Sequence, residues 1–130
     1  MDTLEIDKAY VASKIPPRKA DSHKGMNGRA AIVGGSRIYH GAPFNAGMAA
    51  LRTGLDIVYL AVPAVIAAPV RSMSPDLIVI PLPDSKLTRG NANKLVGWLP
   101  DLDCIGVGPG LGPQNPEELV HALLRLVRRR

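Results

Sequence analysis

A short apolar run, Ala30-Ala31-Ile32-Val33, gives way to Gly34-Gly35-Ser36-Arg37-Ile38-Tyr39-His40-Gly41-Ala42-Pro43, and a small-residue segment from Phe44 to Gly54 follows. Strand, glycine loop and helix N-terminus in that order commit the chain to a βα unit. The same order presents backbone N–H groups to an anion or a nucleotide-like ligand. Pro43 suits the first helical turn, where its missing N–H has no intrahelical partner in any case. Gly34, Gly35 and Gly41 let a ligand approach the main chain closely. A tight βα connection that binds nothing is the competing reading of this loop.

The rest of the chain repeats the alternation. Leu4, Ile6, Tyr10 and Val11 are spaced for a short amphipathic helix ending before Ile15-Pro16-Pro17, and Arg18 to Lys24 reads as a polar surface loop. Strand one is Ala30–Val33, and its helix, Pro43–Thr53, has Phe44, Met48 and Leu51 as an apolar stripe and Gly54 as its C′ residue. Strand two, Ile57–Ala61, is continuously apolar, as in a parallel sheet buried on both faces. Pro63 is expected to start a short helix through Ala68, limited by Pro69. Strand three is Leu77–Ile80, bounded by Pro75 and Pro81, and a turn-rich piece from Pro83 to Gly90 leads to a helix from about Asn93 to Leu99. Strand four, Cys104–Val107, runs into a second glycine loop, Gly106-Val107-Gly108-Pro109-Gly110-Leu111-Gly112-Pro113. Asn115 as cap, Pro116 at the first helical position and Glu117 and Glu118 in the first turn then open a helix. Leu119, Val120, Leu123, Leu124 and Val127 share its apolar face.

Alternating strands and helices make this an α/β fold with a mainly parallel sheet and flanking helices. The loops after strands one and four are placed to line one crevice beside the sheet. Neither loop is a standard dinucleotide fingerprint, and the chain has no G-x-x-x-x-G-K-[ST] phosphate loop. No metal-ligand spacing, repeat or low-complexity segment is present, and no catalytic residue is assigned. The single cysteine, Cys104, excludes an intrachain disulfide and reads as a buried structural thiol. His23 and Lys24, with no partnering carboxylate at close spacing, read as solvated loop residues.

The net charge of +5 raises nucleic-acid binding as a possibility. Much of the excess lies in Arg125, Arg128, Arg129 and Arg130, at the end of the last helix, where cations complement the helix dipole. Without aromatic interleaving or a recognition motif, no nucleic-acid partner is expected. Asp56 and Arg71 interrupt the apolar stretches, so no membrane partner is expected either, and a cytoplasmic location is. Aromatic residues make up only 4% of the chain, so its core must be aliphatic and alanine-rich.

Taken in order, Ser22-His23-Lys24-Gly25, Gly28-Arg29, Gly34-Gly35-Ser36, Gly41-Ala42-Pro43, Ala49-Ala50-Leu51-Arg52-Thr53-Gly54 and Gly108-Pro109-Gly110-Leu111-Gly112 resemble the ADP/ATP-dependent NAD(P)H-hydrate dehydratases of the ribokinase-like fold. The match runs from about residue 15 to the end. The resemblance implies a lyase of metabolite repair. ADP or ATP phosphorylates the hydroxyl of the S epimer of hydrated NADH or NADPH, and elimination of phosphate restores the reduced cofactor. It implies Mg2+ as a helper in phosphoryl transfer. It also implies Ala42 and Gly110 as positions that contact the hydrated cofactor, and with the glycines of the same two loops the expected substrate-binding residues are Gly41, Ala42, Gly108 and Gly110; Tyr39 and His40 are given no role.

Family members run to roughly twice this length, and their second half carries a Pro-His-x-Gly-Glu motif and a Gly-Thr-Gly-Asp or Gly-Ser-Gly-Asp anion hole. Neither motif occurs here, and Asp56, Asp76, Asp84, Asp101 and Asp103 all lack that glycine context. Residues 1–130 therefore read as the N-terminal part of such a domain, inactive alone, with a homo-oligomer or a complementary C-terminal half as expected partner. The competing readings are a non-catalytic nucleotide-binding module, an assembly module and a fragment of a ribokinase-like small-molecule kinase.

Overall fold

The apolar runs become four parallel strands: β1 (Arg29–Val33), β2 (Ile57–Pro63), β3 (Ile78–Leu82) and β4 (Cys104–Val107). The computed structural model describes residues 3–83, 88–99, 101–112 and 117–127. Among them the helices are α1 (Lys8–Lys14), α2 (Gly41–Arg52), α3 (Ala64–Met73), α4 (Arg89–Trp98) and α5 (Glu117–Val127). The strand order is β3-β2-β1-β4, and the register sets Ala31 beside Tyr59 on one flank and Ile105 on the other.

Period-two alternation sends side chains to two separate cores. Val58, Leu60, Val62, Leu77 and Val79 face α3, with Ile66, Ala67 and Val70 opposite them and Phe44, Met48 and Leu51 of α2 packed alongside. Ala31, Val33, Ala61, Ile80 and Leu82 point the other way, toward Ala92 and Leu95 of α4 and Leu119, Ala122 and Leu123 of α5. The result is three layers, helices on both faces of one sheet, with the expected aliphatic and alanine-rich interior.

Helix α2 ends as its sequence requires. Gly54 takes a φ of +110°, its N–H donates to the Leu51 carbonyl at 3.0 Å, and that of Leu55 donates to Ala50 at 3.4 Å. That pair of bonds satisfies carbonyls the helix would otherwise leave open.

Several local expectations are corrected. Leu4 and Ile6 precede α1, both are exposed, and α1 buries no residue, so the opening segment adds nothing to the core. Pro63 closes β2, and α3 runs through Pro69 to Met73. Pro69 is on the solvent side, where water can take the carbonyl its missing N–H would have served. β3 likewise includes Pro81, which an edge strand tolerates. Helix α4 begins at Arg89, earlier than expected. Leu124 is 52% exposed and lies off the apolar face of α5. Cys104 is exposed rather than buried, because β4 is an edge strand and Cys104 is its first residue. Asp84, Asn115, Pro116 and Arg128 to Arg130 lie outside the described residues, as does the side chain of Val127.

Candidate functional site

The two glycine loops leave the C-terminal ends of β1 and β4, which are neighbours in the sheet. From β1 the chain proceeds through α2 toward β3, while β4 lies on the opposite side. The gap between them is where the strand order reverses, the position at which open α/β sheets bind ligands.

Main-chain bonds fasten the loops together. Gly34 donates to Ala61 at 3.1 Å, Gly35 donates to Pro109 at 2.7 Å, and Gly108 donates back to Val33 at 3.1 Å. Gly34 has no room for a side chain: a Cβ there would sit 2.3 Å from the Pro109 carbonyl oxygen. The first loop closes on itself through Ser36, which is buried. Its N–H donates to the Tyr39 carbonyl, and its Oγ accepts the Tyr39 N–H, both at 3.3 Å. Leu111, donating to Gly108 at 3.2 Å, shapes the second loop as a turn and buries its side chain among α4 and α5 residues.

Of the four residues expected to contact substrate, Ala42 and Gly110 are brought together. A Cβ on Gly110 would lie 3.1 Å from that of Ala42 and 2.8 Å from the Tyr39 carbonyl oxygen, and Gly110 holds a φ of +71°. Gly41 and Gly108 border open space, with nothing within 4 Å of a Cβ on either. Ala42 is itself exposed. Gly41 and Ala42 form the first turn of α2, a turn with no acidic residue and no cap from the His40 side chain. The positive end of that helix dipole is therefore left to favour an anionic group arriving at the two loops.

His23 and Lys24 are elsewhere. Gly25 and Asn27, just beyond them, both give their N–H groups to Asp56 Oδ2 at 2.9 Å, and Asp56 in turn gives its N–H to Gly28. This joins the His23 loop to the N-terminal ends of β1 and β2, the end of the sheet opposite the glycine loops. At that end Asp56 acts as a hub. Its side chain is 4% exposed, accepts further bonds from Asn27 Nδ2 and pairs with Arg18. The Asn27 backbone N–H is the main cause holding the Asp56 carboxyl below its ordinary value. The Asn27 side chain, the Gly25 N–H and Arg18 add to this, and burial opposes it. Asp103 plays a parallel part for β4, accepting the Arg29 N–H at 2.8 Å. The sequence reading missed Asp56 as an organiser; an acid placed directly before an apolar strand was the available signal.

For the magnesium implied by the resemblance, the described residues bring together no group of three or more His, Cys, Asp or Glu that could hold a metal ion. What the site offers is backbone: two close-packed loops, an open approach at Gly41 and Gly108, and a helix N-terminus. Among the described residues no helix is long and apolar enough to cross a membrane.

Comparison with known proteins supports this architecture. The family model for NAD(P)H-hydrate dehydratase matches residues 30–129. The ADP-dependent (S)-NAD(P)H-hydrate dehydratase of Nitrosopumilus maritimus (strain SCM1) is 52% identical over 125 residues, covering 95% of this chain and 44% of that protein. The corresponding protein of Cenarchaeum symbiosum (strain A) is 55% identical over 123 residues, covering 94% and 43%. The crystal structure of a ribokinase-like superfamily protein from Enterococcus faecalis superposes with a TM-score of 0.74 at 22% identity, covering 97% of this chain and 44% of that one. The chain thus spans less than half the length of the curated relatives it matches.

Proposed function

This chain belongs to the NAD(P)H-hydrate dehydratase family, and on that premise we propose that residues 1–130 supply the substrate side of a dehydratase acting on the S epimer of hydrated NADH or NADPH. ADP or ATP is the phosphoryl donor in this reading, because some relatives are named for their dependence on ADP and others for their dependence on ATP. The nucleotide's terminal phosphoryl group passes to the hydrate hydroxyl, and the C–O bond then breaks with phosphate as leaving group. A proton leaves the neighbouring carbon, and the ring double bond returns. None of these steps is assigned to a side chain of the described residues. Their contribution is positioning, which counts for much in phosphoryl transfer because little covalent chemistry falls to the protein.

One observation carries the reading: Ala42 and Gly110 meet where the strand order reverses, with Gly41 and Gly108 open on the approach. A dinucleotide laid across this junction places an anionic group at the start of α2, beside glycines that let it approach the main chain closely. The phosphoryl-transfer groups belong to the remaining part of the fold, so a complementary half is the expected partner. A cytoplasmic, reducing setting suits a chain whose one cysteine is exposed and free.

Calorimetry with NADPH as probe tests the site. The chain is expected to bind it, and Ala42→Leu to weaken binding at least tenfold with the thermal melt unchanged. Equal affinity in an equally stable variant removes these loops from consideration.

A further inference from the structure

The chain has three Tyr, one Phe and one Trp, and all but one of these rings lie away from the glycine loops. Phe44 and Tyr59 pack against the two cores, the Lys14 ammonium sits over the Tyr10 ring in α1, and Trp98 ends α4. Tyr39 is the exception, because it stands where the main chains of the two loops meet. Its carbonyl oxygen lies 2.8 Å from the place a Cβ on Gly110 would take, and its own Cβ and that of Ala42 both lie 3.1 Å from the same point. From this contact the side chain runs along the second loop, and ring carbons Cδ2 and Cε2 are each 3.6 Å from a Cβ placed on Gly112.

The ring is also held in advance. The Tyr39 N–H donates to Ser36 Oγ and its carbonyl accepts the Ser36 N–H, each at 3.3 Å, and Ser36 is buried. With both main-chain groups fixed by one residue, only the side-chain torsions are left to order when a ligand arrives. Gly110 and Gly112 take φ values of +71° and +67°, which strain any residue with a side chain, so the second loop stays bare beside the ring. Tyr39 is 52% exposed, so its contact with Gly112 leaves ring surface for a ligand. Only His40 separates Tyr39 from Gly41, the first residue of α2. An aromatic surface this close to a helix N-terminus matches one nucleotide, whose flat ring and phosphate are joined through a single ribose.

We propose that the Tyr39 ring is the surface on which the nicotinamide-derived ring of the hydrated cofactor lies, with the phosphate of that nucleotide at the start of α2. The proposal rests on the function proposed above, which brings the reacting ring rather than the adenine to this junction. In the hydrate the ring nitrogen, the C2=C3 double bond and the carboxamide stay conjugated and flat, and an aromatic side chain supports such a plane. The carbon that bears the hydroxyl is saturated and puckers out of it. Holding the plane therefore fixes the direction of the hydroxyl that receives the phosphoryl group.

Calorimetry on the whole chain compares NADPH with 2′-phospho-ADP-ribose, which lacks the nicotinamide ring. Tyr39→Leu is expected to weaken NADPH about tenfold and to leave 2′-phospho-ADP-ribose within about twofold. Tyr39→Phe, which keeps the ring, is expected to hold NADPH within about threefold of the parent. Equal losses for the two ligands overturn the proposal, as does a Phe variant as weak as the Leu variant. In the unaltered chain, NMR cross-relaxation is expected to connect the Tyr39 ring protons with the nicotinamide C2 proton of bound NADPH. Contacts with the adenine protons alone overturn the proposal without recourse to any variant. NADPH binding that falls with Ala42→Leu but not with Tyr39→Leu removes Tyr39 and leaves the proposed function standing. A chain that does not bind NADPH overturns both.

Discussion

Gly35 gives its backbone N–H to the carbonyl oxygen of Pro109 at 2.7 Å, so the loop after β1 and the loop after β4 are joined by main chain alone. The bond requires the preceding residue to be glycine, since a Cβ on Gly34 would meet that same carbonyl at 2.3 Å. Backbone cannot swing aside as the end of a side chain can. Gly34→Ala is therefore expected to destabilise by about 1–3 kcal/mol. Gly41→Ala, with open space around the added methyl, should stay within about 0.5 kcal/mol. Denaturant unfolding of both variants is the check, and equal midpoints would break the link between glycine and loop contact.

Activity should be absent from the chain alone. The described residues bring no cluster of acids together for a metal, and the sequence has no Gly-x-Gly-Asp. Purified chain, hydrated NADPH and either ADP or ATP should give no more reduced cofactor than a control without protein. A nucleotide-dependent rise in NADPH absorbance would show that phosphoryl transfer needs nothing beyond these residues.

The parts of this fold that were legible in the sequence are those decided locally. Gly54 announces the end of α2 because only a residue at ease with positive φ completes that cap. The strands announce themselves as apolar runs, and the meeting of the two loops follows from strand and loop alternation. What stayed hidden depends on which side of an element faces water. Pro69 and Pro81 look like stops in one dimension and are tolerated because one faces solvent and the other lies in an edge strand. Cys104 looks buried until β4 proves to be outermost. Arg18 and Asp56 are remote in sequence and give no local sign of pairing.

The second core makes a sharper mechanical claim about α4. Leu95 is fully buried between the sheet and α5, whereas Trp98, three residues on, is 60% exposed. Leu95→Ala should cost about 2–5 kcal/mol, because the removed methyl groups leave a cavity that a sheet and two helices cannot close. Trp98→Ala, despite deleting more atoms, should change stability by about 0.5 kcal/mol or less. Reversal of that order in urea unfolding would mean that α4 turns a different face to the sheet.

Asp56 sets the acid limit of the chain. Hydrogen bonds from Asn27 and Gly25 and the charge of Arg18 hold its carboxyl below the ordinary value of 3.8. With the folded value depressed, the unfolded chain binds the proton first. The contribution of Asp56 is therefore complete above about pH 3.8 and declines as the pH falls through its folded value. Asp56→Asn loses the ion pair with Arg18 and the charge-assisted bonds, so it should be less stable than the parent at neutral pH. Its stability should also fall less steeply on acidification, so that the two curves converge below pH 3.8. Amide exchange at Gly25 and Asn27 gives a local reading of the same effect. Both amides should be protected in the parent and lose protection in the variant first, since their acceptor is the Asp56 carboxylate. Parallel stability curves over the acid range would show that some other group, and not Asp56, governs the loss.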